Sequence, residues 1–251
     1  MCKKIPILVC AVLVLGTAGS TSADLVAWWP FDEGDGTSAT DAVGGIVGEL
    51  RNDVSWADGV SGSAIDTAGG NDYFYASVST IPVNDFTLAF WFMSDAAGQS
   101  KRIGHYAYDN SKGLDMRWFD GKVGWDDEGI GKVQMAGANT YANNTWHHLV
   151  YTRSGTVLTL YVNGEEELQN PSAGTDTLNL FLQLSGRWLS RDWIDAKYDE
   201  AAIWDTALPL GEFGDPAGSS IRGVYSNGVI PEPATILLLG LGGLALLRKR
   251  R

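Results

Sequence analysis

The side chains able to do chemistry in this 251-residue chain are few and scattered. Glycoside hydrolysis asks for two carboxylates flanking the scissile bond, about 5–5.5 Å apart for retention or ~6.5–9.5 Å for inversion. Residues two apart on a strand share a face, so such a pair reads as acid-x-acid. Asp126 and Glu128, beside Trp125, are the best pair of this kind, and their plainest reading is a solvated acidic hairpin end. Glu165 and Glu167 follow directly on Asn163-Gly164 and read as a solvated strand edge. His147 and His148 are adjacent in a β-type run, point to opposite faces, and so do not share a metal ion. His105 is the only other histidine. Both cysteines, Cys2 and Cys10, lie at the extreme N-terminus, so the body carries no disulfide, thiolate metal site or thiol nucleophile.

Aromatic rings are plentiful: 10 Trp, 9 Tyr and 8 Phe. Sugars stack their C–H faces on such rings while carboxylates and amides take the hydroxyls. Tyr106, Tyr108, Trp118, Trp125, Trp188 and Trp193 lie in polar-flanked, less regular segments and are the candidate ligand-binding rings. Arg187, Arg191 and Asp192 accompany the last pair. Trp28, Trp91, Trp146 and Trp204 sit in regular runs and read as core.

The elements that must position these groups are strands. Runs of four to eight aromatic and β-branched residues, broken by Gly, Asn and Asp, recur without an intervening helical period. The clear set is 86–92, 114–119, 122–125, 146–152, 157–162, 178–184 and 201–204. Asp120-Gly121, Ser154-Gly155 and Asn163-Gly164 supply the positive φ of tight hairpin turns. The expected fold is all-β, an antiparallel two-sheet sandwich or jelly roll, in one domain over 24–230.

The two ends are addresses. Lys3 and Lys4, an apolar run from Ile5 to Leu15 and small residues ending at Ala23 have the layout of a signal peptide over 1–23, cleaved after Ala23. At the other end stand Pro231-Glu232-Pro233, an uncharged stretch from Ala234 to Leu247, and Arg248-Lys249-Arg250-Arg251. As a helix that stretch spans about 21 Å, short of a ~30 Å hydrocarbon core, and its basic flank stays cytoplasmic. Between the ends the body has 12 basic against 29 acidic residues, a net −17, which repels phosphate backbones and excludes nucleic-acid binding.

The C-terminal tripartite pattern over 231–251 resembles the PEP-CTERM sorting signal, read by a membrane-bound exosortase. The resemblance implies transient insertion in the inner membrane through 234–247, removal of the tail near Pro231, Glu232 and Pro233, and delivery to the envelope surface or matrix of a bacterium. The body resembles the LamG-like (concanavalin A-like) jelly-roll family in Ala27–Gly34, Asp41–Gly45, Asn71-Asp72-Tyr73, Asp85–Trp91, Thr145–Val150, Leu160–Gly164 and Tyr198–Trp204. It departs at Gly211–Ser220, a Gly/Pro/Asp insertion expected as a surface loop where the family has a short helix. Hydrolases of that fold carry Glu-x-Asp-x-Glu; Glu33-Gly34-Asp35 begins it and Thr37 breaks it. LamG-like domains often hold one structural calcium, and the positions matching the family are Asp41, Asp199 and, third, Asp72; Asp41 equally suits a turn cap. The expectation is a secreted, non-catalytic domain that binds carbohydrate or exopolysaccharide. The alternatives are a structural or adhesive surface protein without a sugar ligand and, third, a glycoside hydrolase.

Overall fold

The computed structural model describes residues 23–78, 84–96, 100–109, 112–127, 133–171, 181–186 and 192–229. The signal segment before Ala23, the Pro231-Glu232-Pro233 motif and the apolar stretch 234–247 lie outside them. Among the described residues no helix is long and apolar enough to cross a membrane.

In chain order the strands are β1 (Leu25–Trp29), β2 (Ser38–Thr40), β3 (Val47–Arg51), β4 (Ser55–Asp58), β5 (Ser63–Ala68), β6 (Tyr73–Ser77), β7 (Phe86–Ser94) and β8 (Ser100–Asp109). They continue as β9 (Lys112–Phe119), β10 (Lys122–Asp127), β11 (Val133–Ala136), β12 (His147–Ser154), β13 (Val157–Val162), β14 (Glu165–Pro171), β15 (Phe181–Leu184) and β16 (Asp195–Trp204). Among the described residues one helix, α1 (Ile221–Asn227), closes the series. The strands form two antiparallel eight-stranded sheets. Sheet A runs β14-β13-β12-β7-β16-β5-β4, with β1 beside the C-terminal half of β16; sheet B runs β11-β10-β9-β8-β15-β6-β3-β2. The expected two-sheet sandwich is therefore present, and the hairpin turns have the expected backbone: φ is 52° and 84° at Asp120-Gly121, and 54° and 80° at Asn163-Gly164.

Period-2 alternation explains the core. Phe86, Leu88, Phe90 and Phe92 of β7 face Leu114, Met116 and Trp118 of β9 and Val123 and Trp125 of β10, all nine-tenths or more buried. Two phenols stitch the layers: Tyr198 Oη donates to Ile103 O at 2.7 Å, and Tyr151 Oη to Gly124 O at 3.1 Å. Each such bond adds a net ~1 kcal/mol, and losing one strands a buried carbonyl.

The alternate residues of sheet A make a second, smaller core on its outer face. Ala89, Val150, Ala202 and Trp204 pack there with Leu208, Ile221, Val224 and Val229, joined by half-buried Ala23, Leu25 and Trp28. The loop expected at Gly211–Ser220 is present, but the segment after it is helical, which the sequence did not announce. Seven residues are too few to display a period. The start is set by Ser220, whose Oγ accepts from Gly223 N at 3.0 Å, and the end by Gly228 at φ 86°.

Candidate functional site

The candidate rings divide. Trp118, Trp125 and Tyr106 are core residues, 0–1% exposed, and present no face to solvent, a correction to their reading as ligand-binding rings. Trp118 Nε1 donates to Ala96 O at 3.1 Å, and Tyr106 packs on Phe86 at 4.6 Å between ring centroids. Burial pushes the Tyr106 phenol well above its ordinary value. The polar flanks that suggested loops, Arg117 and Asp126, belong to the other face of the same strands. Trp193 is half-buried, and its indole N–H finds no acceptor among the described residues. Trp188, the Tyr108 side chain and Glu128 lie outside the described residues.

What the fold does assemble is a row across the outer face of sheet B. Asp126 stands opposite Asp115, Asp115 opposite His105, His105 opposite Gln183, Gln183 opposite Tyr75, and Tyr75 opposite Glu49. Six strands, β10-β9-β8-β15-β6-β3, thus contribute one side chain each at the ~4.7–4.9 Å strand spacing. The row begins buried and ends open: Asp126 is 8% exposed, Asp115, His105 and Gln183 are 0%, Tyr75 is half-buried and Glu49 exposed.

Arg102 organises its buried end. Like charges directly opposite on neighbouring strands repel. Arg102 bridges the two, with Nε 3.2 Å from Asp115 Oδ2 and Nη2 2.9 Å from Asp126 Oδ2. Arg117, opposite Arg102, adds Nη1 at 2.5 Å from the same Asp126 oxygen. His105 Nδ1 meets Asp115 Oδ1. Two atoms in this cluster, Asp126 Oδ1 and Arg117 Nε, are buried without a hydrogen-bond partner among the described residues. Toward the open end the rings form a strip: Phe181 stacks on His105 at 5.5 Å and leans on Tyr75 at 5.4 Å, with Phe181 and Tyr75 both half-buried. None of Tyr75, Phe181 and Gln183 was singled out from the sequence, and His105 only for want of metal partners.

The three aspartates implied as calcium ligands stand on separate elements, Asp41 and Asp72 in connections between strands and Asp199 within β16. Asp41 accepts three backbone N–H groups, from Trp28 at 2.6 Å, Val43 at 2.9 Å and Gly44 at 2.7 Å, so it acts as a turn cap. Asp72 accepts from Asp53 N at 2.9 Å. Asp199 accepts from Val60 N at 2.7 Å and Ser61 N at 3.1 Å, and its Oδ1 is buried without a hydrogen-bond partner among the described residues. Among the described residues no three His, Cys, Asp or Glu side chains converge as a metal set. The trio does not fit a shared ion. The register of β16 explains Asp199 better. A bulge between Asp199 and Ala202, with Glu200 at φ 54°, separates the inward Tyr198 from the inward Ala201 by two residues. Both intervening acids therefore turn outward, where Glu200 takes the Trp28 indole N–H at 2.7 Å. Burial, then the neighbouring carboxylates, raise Asp199 to about 6 and Glu200 to about 7.

His147 and His148 pack on opposite faces of β12, as their adjacency required. His148 is held between Trp91 and Tyr225 at 5.1 and 5.9 Å, and burial lowers it to about 3, so it is neutral.

Residues 68–212 match the family described as the concanavalin A-like lectin/glucanases superfamily, and residues 229–251 match the PEP-CTERM protein-sorting motif. Comparison with curated protein sequences found no match. Among solved structures the chain is similar to domain 4 of AbnA, an extracellular arabinanase of Geobacillus stearothermophilus, in complex with arabinotriose. Identity is 17% and the TM-score 0.64, over 82% of this chain and 100% of that domain. It is also similar to the binding domain of Paraclostridial Mosquitocidal Protein 1 (17% identity, TM-score 0.62, 80% of this chain and 52% of that one). A third likeness is Trypanosoma rangeli sialidase in complex with the inhibitor DANA (12%, 0.62, 80% and 32%). This chain spans about half or less of those last two.

Proposed function

The chain belongs to the concanavalin A-like lectin/glucanases superfamily and carries a signal that implies export and surface or extracellular delivery; on that premise we propose that it is a non-catalytic glycan-binding protein. The ligand lies on the outer face of sheet B at the open end of the row, over Phe181, Tyr75 and Glu49. The observation that carries this reading is the open end of that row: the half-buried rings of Phe181 and Tyr75, 5.4 Å apart, beside the exposed carboxylate of Glu49. A ring offers a sugar's C–H face a large contact with few torsions to freeze, and fixed amide and carboxylate groups orient its hydroxyls. The similar arabinanase domain holds arabinotriose, which supports a saccharide as ligand class. Exosortase acts on the precursor tail, the inner membrane holds 234–247 transiently, and the body remains in the envelope surface or matrix.

Purified 24–230 on a glycan array tests the reading. It binds at least one polysaccharide, and Tyr75→Ala or Phe181→Ala weakens that binding about tenfold, the equivalent of ~1.4 kcal/mol, with little change in melting temperature. A flat response across neutral and acidic polysaccharides, or binding indifferent to both substitutions, overturns it. Hydrolysis is the second reading, favoured by the direct opposition of Asp115 and Asp126. Against it, Arg102 and Arg117 occupy the lone pairs that an acid and a nucleophile would turn to substrate. Reducing-sugar release that vanishes in Asp126→Asn would reverse that judgement.

A further inference from the structure

The two ends of the body meet on the face opposite the row. Ala23 and Leu25 at the start, and Val229 at the finish, pack into the outer core of sheet A around α1. Both are fastened. Asp24 N donates to Asp205 Oδ1 at 2.9 Å and Asp205 N to Asp24 O at 3.1 Å. At the other end Gly218 N donates to Gly228 O at 3.0 Å, Gly228 N to Val224 O at 3.0 Å and Asn227 Nδ2 to Asp215 O at 2.7 Å.

Nothing separates this fastened end from the sorting signal. Val229 is 5% exposed, Pro231 follows two residues later, and Ala234, the first residue of the apolar stretch, five residues later. A fully extended chain gains at most about 3.5 Å per residue, so the apolar stretch begins within ~17 Å of Val229. The row on sheet B is farther off, beyond two sheets packed ~10 Å apart.

We propose that, in the precursor still bearing its tail, the sheet A face around α1 and Phe213 lies against the lipid headgroups, and the row on sheet B points away from the membrane. The tether imposes this orientation; charge does not, because a body at −17 is repelled by anionic lipid. The surface it turns inward carries one ring suited to the boundary: Phe213 is 52% exposed, an aromatic at headgroup level, steadied by the Arg222 guanidinium that lies 4.7 Å over it and is itself paired to Glu165 at 2.9 Å. The inference rests on the reading of 234–247 as a membrane segment.

Single thiols test it, since Cys2 and Cys10 are the chain's only cysteines. With both changed to Ser, Phe213→Cys and Val47→Cys are made in the full-length precursor. The two positions are matched in exposure, 52% and 58%, and Val47 lies on the outer face of sheet B. Spheroplasts of a host lacking exosortase are treated with a membrane-impermeant maleimide. Phe213→Cys reacts several-fold more slowly than Val47→Cys in the membrane-bound precursor, and the gap closes in a variant truncated after Val229. Equal rates in the membrane-bound precursor overturn the orientation. A precursor found wholly outside the membrane fraction overturns the underlying tether instead, and the two failures are read from different measurements.

Discussion

Replacing Arg102 with Met tests whether the buried end of the row is held by charge. The substitution keeps most of the aliphatic volume and removes a guanidinium that donates to two carboxylates, at 3.2 Å to Asp115 and 2.9 Å to Asp126. Asp115 is 0% exposed and directly opposite Asp126, so the variant faces two buried acids with their bridge gone. Breaking a buried ion pair costs about 3–5 kcal/mol. Here the cost falls at the lower end, ~3 kcal/mol, because Asp126 keeps Arg117 and Asp115 keeps His105. At about 2–4 °C per kcal/mol for a domain of this size, the melting point drops ~10 °C. Arg102→Lys loses about half as much, since a point charge reaches one carboxylate and not both. Urea unfolding followed by tryptophan fluorescence reads the change, with an unaltered denaturant slope confirming a native-state effect. Asp126→Asn on the Arg102→Met background recovers at least ~1 kcal/mol of coupling. A loss under ~1 kcal/mol, or strict additivity in that cycle, refutes the bridging account.

Three further outcomes follow from carboxylates outside the row. Asp199 and Glu200 are raised in the fold, so each contributes stability that is full below its unfolded value and lost as pH climbs through about 6 and 7. In EDTA the melting temperature therefore falls from pH 5 to pH 8, by on the order of 2 kcal/mol in stability after allowing for the solvent that reaches half-buried Glu200, and Glu200→Gln flattens the slope; a wild-type melting point that rises across this window contradicts the assignment. Asp41→Ala strands three backbone N–H groups and costs about 2–3 kcal/mol by denaturation. EDTA leaves the wild-type melting temperature unchanged, and a drop of several degrees on chelation would restore calcium to Asp41 or Asp199.

The strands were legible where alternation and turn dipeptides coincide, as in 86–92 and 157–162, because both signals are local. The ring assignments failed for a local reason as well: in a strand, polar neighbours mark the opposite face, so Arg117 and Asp126 flanking Trp118 and Trp125 argued for burial of the tryptophans. The row itself was out of reach. Tyr75, Gln183 and His105 become neighbours only because β15 inserts between β6 and β8, an order no segment encodes by itself. Sequence also gave no sign of the bulge that turns Asp199 and Glu200 to one side, since an alternating Tyr-Asp-Glu-Ala reads the same with or without it.

The pairing of β1 with β16 sets a timetable for export. A polypeptide threaded through a translocation channel from its N-terminus delivers β1 first and its partner almost last, with 165 residues from Pro30 to Ile194 in between. Until Trp204 emerges, β1 has no edge to join and the large core lacks a wall. Such long-range closure is slow. On such a route β1 stays without its partner until β16 has followed it across.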